Sequence, residues 1–111
     1  MSSELDMSSL GRLIASARKI KEWSQKELAT KILKEDGQPI TPQYLNDIEH
    51  DRRSPSSDHL IQQFAKVLGV GVTTLFGVSG MLPQKDVKLV RNTTPDKVDQ
   101  AFIAFRKKLE G

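Results

Sequence analysis

The chain has 111 residues, room for one domain and an appendage. Its hydrophobic content is 37% and its formal net charge +3, which points to a small helical core and is compatible with nucleic acid but equally with any soluble protein. It contains no cysteine, so disulfides, thiolate metal sites and thiol catalysis are excluded.

Residues 1–8 are polar and read as a flexible N-terminus, with acids at Glu4 and Asp6 and no apolar run of the kind a signal peptide needs. No stretch approaches the roughly 20 apolar residues of a membrane span, so a cytoplasmic protein with no membrane contact is expected. From Ser9, apolar residues recur at Leu10, Leu13, Ile14, Ala17 and Ile20, the spacing of an amphipathic helix. Arg12, Lys19 and Lys21 fall on its outer face. Ser24 and Glu27 then form a Ser-x-x-Glu capping box, with Trp23 placed to staple onto Leu28. The helix they open buries Leu28, Ala29, Ile32 and Leu33 and is expected to end near 34–36, with Gly37 as a left-handed terminator.

Gln38-Pro39 leads in extended conformation to a third start signal. Thr41 can cap, Pro42 suits the first helical position, and Ile40 can pack on Leu45. This short helix has a thin apolar seam, Leu45 and Ile48. Its other side carries Gln43, Asn46, Asp47 and His50. Amide side chains combine a donor with an acceptor, as adenine does in the major groove, so the face suits reading base edges. Asp51-Arg52-Arg53-Ser54-Pro55 follows as a basic loop. Ser56 is the expected cap of a fourth helix with Leu60, Ile61, Phe64, Ala65 and Leu68 inside, ending at Gly69. Val70 to Phe76 reads as a fifth helix, and Gly77-Val78-Ser79-Gly80 as a small-residue linker. Beyond it, 84–90 has room for a turn or two of helix. Thr94-Pro95 repeats the cap-plus-proline device ahead of Val98, Ala101, Phe102, Phe105 and Leu109 at heptad-like spacing.

Ser24-Gln25-Lys26-Glu27-Leu28-Ala29, the stretch 40–49 ending Ile48-Glu49, Arg52-Arg53-Ser54-Pro55-Ser56 and Phe64-Ala65-Lys66-Val67-Leu68-Gly69-Val70 together resemble the lambda-repressor/Cro (Xre-type) helix-turn-helix family. The resemblance runs from about Leu10 to Gly77. It implies an all-α protein: a five-helix lambda-repressor-like DNA-binding domain over 9–78 and a C-terminal helical extension over 79–111. It further implies that Thr41, Pro42, Gln43, Asn46 and Asp47 meet base edges, and that Gln25, Tyr44, Arg52 and Arg53 lie along the DNA backbone; Lys26 is placed there by the clustering of basic residues around the two helix starts. Arg18 and Glu49 match positions that form a structural ion pair in the family. The chain departs from the family pattern in three places. The link 34–39 exceeds the usual turn of about 3–4 residues, the glycine usual after the recognition helix is replaced near Asp51, and Asp47 puts an acid beside phosphates.

The expected function is a DNA-binding transcriptional regulator, a repressor that binds a palindromic operator as a homodimer. Val98, Ala101, Phe102, Phe105 and Leu109 form the expected dimer contact, because one recognition helix reads too few bases to select a genomic site. An alternative is an antitoxin-type autorepressor whose extension also grips a toxin or another regulatory protein; a third is a protein-binding adaptor. His50 and His59 have neither a third ligand nor a nucleophile at useful spacing. No catalytic residue, metal, cofactor or small-molecule substrate is expected.

Overall fold

Hydroxyl side chains write most of the helix starts. Ser9, Ser24, Thr41, Ser57 and Thr94 stand in extended backbone, and each accepts the otherwise unpaired N–H three residues on. In the computed structural model, which describes residues 4–111, the helices are α1 (Leu10–Ile20), α2 (Gln25–Lys31), α3 (Pro42–Glu49), α4 (Asp58–Leu68), α5 (Val72–Ser79), α6 (Gln84–Arg91) and α7 (Pro95–Glu110). Among the described residues there is no strand, only one isolated antiparallel bridge, Leu33 to Pro39. The chain divides into two compact units, one closing at Met81 and the other running Leu82–Gly111.

In the first unit the core is built from one face of each helix. Leu13, Ile14 and Ala17 of α1 meet Leu28 and Ala29 of α2 and Leu45 and Ile48 of α3. Leu60, Ile61, Phe64, Ala65 and Leu68 of α4 and Leu75 and Phe76 of α5 complete it. Phe64 is fully buried, so truncating it to alanine would cost about 3–5 kcal/mol. Trp23 is half-buried against this core, with the Lys31 ammonium 4.8 Å from its ring centre. The first three residues of the expected flexible N-terminus lie outside the described residues. Beyond them, the Asp6 amide donates to Ser16 Oγ at 2.9 Å. Ser8 donates to the Asp6 carboxylate from its hydroxyl and its amide, which holds that carboxyl below its usual range.

Local details differ from the sequence expectations. The cap of α4 is Ser57, not Ser56; the Ser56 amide instead donates to the Tyr44 hydroxyl at 2.9 Å. Helix α5 continues through Ser79 to a left-handed Gly80, so 77–79 are helical rather than linker, and Val78 packs on the core. Helix α2 stops at Lys31, because Ile32 is already extended. The link that follows is a small hairpin. Lys34 N donates to Gln38 O at 2.8 Å, Gly37 N to Lys34 O at 2.9 Å, and Ile40 N to Ile32 O at 3.0 Å. Gly37, at φ +86°, serves this turn and does not end a helix. Leu33, expected inside, is 40% exposed, since the extended backbone turns alternate residues outward.

In the second unit no residue of α6 or α7 is buried. Phe102 and Phe105 meet edge to face at 6.0 Å. Phe105 is 55% and Leu109 71% exposed. Among the described residues, no helix is long and apolar enough to cross a membrane.

Candidate nucleic-acid interface

The hairpin sets how α2 hands over to α3. Ile32 and Ile40 are both buried and joined by a backbone hydrogen bond. The extra residues therefore leave the helix pair and return to it at nearly the same point. Both backbone groups of Leu33 are tied to α4: its amide donates to Gln63 Oε1 at 3.2 Å, and its carbonyl accepts from His59 Nε2 at 2.9 Å. The long connection thus behaves as a short turn carrying a braced excursion.

Helix α3 begins with Thr41 accepting from Tyr44 N at 3.1 Å and Pro42 in the first turn. Thr41, Pro42 and Gln43 are exposed at this end. At the start of α2, Ser24 and Glu27 form the reciprocal capping box. Lys26 is exposed there and Gln25 half-buried.

A single carboxylate organises the space between these helix starts. Glu49 is 6% exposed and takes a bidentate pair from Arg18, Nε to Oε2 at 2.7 Å and Nη2 to Oε1 at 2.9 Å. The third arm of the guanidinium donates to the Trp23 carbonyl at 2.8 Å. Glu49 Oε1 also accepts from Gln25 Nε2 at 2.9 Å. An ionised carboxylate only accepts, so Gln25 must turn its amine toward Glu49 and its carbonyl outward. That carbonyl accepts from Asn46 Nδ2 at 3.2 Å, and Asn46 Oδ1 in turn accepts from Arg52 Nη2 at 2.6 Å. The orientations of both amides follow from one charge at the back of the face.

The chain of bonds continues along the outer side of α3. Arg52 pairs with Asp47, Nη2 to Oδ1 at 2.9 Å and Nε to the same oxygen at 3.1 Å. Gln43 Nε2 donates to that oxygen as well, at 3.1 Å. Among the described residues, no buried side-chain nitrogen or oxygen lacks a partner. The interface side is thus a hydrogen-bonded lattice running from Arg18 to Gln43, with the exposed amide of Gln43 at its outer end.

A helix-turn-helix family model matches residues 14–75, more than half of the chain. The chain belongs to the Xre/lambda-repressor-type helix-turn-helix family. It is thereby a DNA-binding helix-turn-helix regulator with an all-helical, lambda-repressor-like fold. No curated protein and no solved structure matches it.

Within this helix-turn-helix domain, Asp51 fills the place of the missing glycine by two devices. It takes φ +58° itself, a left-handed conformation that aspartate tolerates better than most residues. Its carboxylate then accepts from Ser9 Oγ at 2.6 Å and from the Gly11 amide at 3.0 Å. It sits at the positive end of α1, where an acid is favoured. Gly11 completes the joint. A Cβ there would run into the Ile48 carbonyl and lie 2.7 Å from the Glu49 carbonyl and 2.6 Å from Asp51 Oδ1. The bare backbone of α1 therefore rests against the end of α3. Sequence reasoning passed over Gly11 and Asp51 as site supports. A glycine inside an amphipathic helical pattern, with no turn to serve, was the available signal.

The loop after α3 is held by Tyr44, whose hydroxyl accepts from Ser56 N and whose ring lies 4.9 Å from the Arg53 guanidinium. The structure thus brings Gln25, Gln43, Asn46, Asp47 and Arg52 into one network and stacks Arg53 on Tyr44. Lys26, Thr41 and Pro42 stand exposed at the helix starts. Val98, Ala101, Phe102, Phe105 and Leu109 belong to the other unit.

Proposed function

We propose that the protein is a sequence-specific transcriptional repressor acting in the cytoplasm as a homodimer on a palindromic operator. In this reading residues 9–78, containing α1 to α4 and all but the last residue of α5, form the DNA-binding domain. Residues 79–111 form the extension that pairs two copies. The observation that carries it is the exposed face of α3, where polar side chains are held in fixed orientations beside the start of α2. A groove-reading helix needs such preorganised donors and acceptors, since ordering them on binding would cost affinity. Gln43, Thr41 and Pro42 meet base edges at the leading end. Lys26, Arg53 and the start of α2 meet phosphates, where unpaired N–H groups and the helix dipole favour an anion. Half-sites lie about 34 Å apart, one helical turn.

The pairing surface is the α7 face of Val98, Ala101, Phe102, Phe105 and Leu109. Two-fold pairing doubles the bases read, and covering a promoter then suffices to repress it. Selection of bound duplexes from a random pool tests recognition, palindromy and spacing together. A two-fold symmetric consensus is expected; an asymmetric one refutes the paired arrangement. Mass measurement of the full chain and of a Phe105→Asp, Leu109→Asp variant is expected to give a dimer and a monomer. A wild-type monomer would instead move α7 to a protein partner, the antitoxin-type arrangement.

A further inference from the structure

Arg52 and Arg53 are neighbours in sequence, but the fold employs them differently. Arg53 stacks on Tyr44 in the loop. Arg52 folds back over α3 and touches Asn46 and Asp47, both in the last turn of the helix. Its side chain is still 54% exposed, while that of Asp47 is 20% exposed. Of the five guanidinium N–H groups, the one on Nε and the two on Nη2 suffice for the bonds to Asp47 Oδ1 and Asn46 Oδ1. The two on Nη1 are used by neither bond.

We propose that Arg52 is the guanine-reading residue of the interface, with Asp47 and Asn46 as its positioning residues. The proposal rests on the reading of α3 as the recognition helix. Guanine shows two neighbouring acceptors, O6 and N7, on its major-groove edge, and Nη1 meets them together with the second Nη2 N–H once that is released from Asn46 Oδ1, while Asp47 keeps Nε and the first. Adenine at the same place presents a donor to the cation beside its N7, cytosine presents only a donor, and thymine presents a single acceptor, O4. A clamped guanidinium loses little freedom on binding, which strengthens discrimination as well as affinity. Asn46 has its amine on Gln25 and its carbonyl on Arg52, so both ends of its amide are already engaged. Asp47, which alone would repel phosphates, is covered by the residue it orients.

The test uses full-length wild type and the Arg52→Ala, Arg52→Lys, Asp47→Ala and Arg53→Ala variants. Each is measured by fluorescence anisotropy on the duplex enriched from a random pool. The same duplex is also prepared with each guanine in turn replaced by 7-deazaguanine, which lacks N7. One guanine per half-site is expected at which the replacement weakens wild type by roughly tenfold. Arg52→Ala becomes indifferent to that replacement. Arg52→Lys does not restore the preference, because an ammonium cannot be held through Nε and Nη2 while offering a third nitrogen. Asp47→Ala keeps duplex binding but narrows the gap between guanine and adenine at that position. Melting temperatures of the variants near that of wild type assign these effects to the interface. The proposal is overturned if Arg52→Ala weakens every duplex alike, with the salt slope falling by about 0.9, which marks a phosphate contact, or if Arg52→Lys restores the guanine preference, which shows that the clamp through Nε and Nη2 is not what reads the base. If wild type enriches no duplex, the recognition-helix reading fails and takes this one with it. If it enriches a duplex insensitive to every 7-deazaguanine, only the assignment of Arg52 fails.

Discussion

Replacing Gly11 with alanine sets helix propensity against close packing. Propensity alone favours alanine inside a helix by up to about 1 kcal/mol. The structure reverses the sign. The added methyl would meet the Ile48 carbonyl, the Glu49 carbonyl at 2.7 Å and Asp51 Oδ1 at 2.6 Å. Two of these three atoms are backbone at the end of α3 and cannot rotate aside. Overpacking of a tight site costs about 1–3 kcal/mol. Moving Asp51 off the Gly11 amide also gives up a charged hydrogen bond worth about 1.5–3 kcal/mol. The two costs overlap, because shifting α1 away relieves the first by incurring the second. Their joint effect is about 3 kcal/mol, and about 2 kcal/mol remains after the propensity gain. For a domain of this size that is a fall of roughly 8–16 °C in Tm. Thermal unfolding of the full chain followed by circular dichroism reads it directly. A Gly11→Ala variant melting at or above the wild-type temperature would refute the claim that α1 rests on the end of α3 through bare backbone.

Arg18→Ala leaves Glu49, whose side chain is 3% exposed, without its cation; a loss of about 3–5 kcal/mol is expected in denaturant unfolding. A smaller loss than that of an exposed pair would contradict the buried bidentate geometry. Replacing 34–38 by a two-residue Asn-Gly turn should change stability by less than about 1 kcal/mol, because the Ile32–Ile40 hydrogen bond already closes the hairpin at its base. Operator affinity should follow suit, and a large fall in either would give the excursion a role of its own. Gln43→Ala should cost roughly 1–3 kcal/mol on the preferred duplex and relax the preference at one position, whereas Arg53→Ala should weaken all duplexes alike. Equal binding by both variants at several salt concentrations would place the interface elsewhere.

What was legible in the sequence was the local chemistry of helix starts and the periodicity of helix faces. Thr41-Pro42 and Ser24-x-x-Glu27 announce α3 and α2 because capping depends on residues at most four apart. The apolar residues of α4 sit inside because their 3.6-residue spacing leaves no other face. What was not legible depended on tertiary placement. The stretch 32–40 carries no strong helix or strand period, so whether it prolongs α2 or forms a hairpin is decided by burying Ile32 and Ile40 together. Ser56 and Ser57 are equivalent as caps until Tyr44 claims the Ser56 amide. The network on α3 joins residues of α1, α2, α3 and the following loop, and its amide orientations follow from a carboxylate 24 residues from Gln25. Residue types predicted a polar face there. Only the fold says which polar groups on it are already engaged.

The same distinction resolves the charge of the interface. Asp47, Glu49 and Asp51 stand in and just after the helix that would face a polyanion, and a count along the sequence expects them to repel it. Each is matched within the protein. Asp47 is covered by Arg52 at 2.9 Å and Glu49 by Arg18 at 2.7 Å. Asp51 is taken up by the Ser9 hydroxyl and the Gly11 amide, where the α1 dipole favours it. All three acids join α3 to a neighbouring element: α1 through Asp51, α1 and α2 through Glu49, and the basic loop through Asp47. Lys19, Lys26 and Arg53 meanwhile remain exposed. Within a chain whose formal charge is +3, these three acids are thus engaged in positioning α3, and Lys19, Lys26 and Arg53 are not their partners.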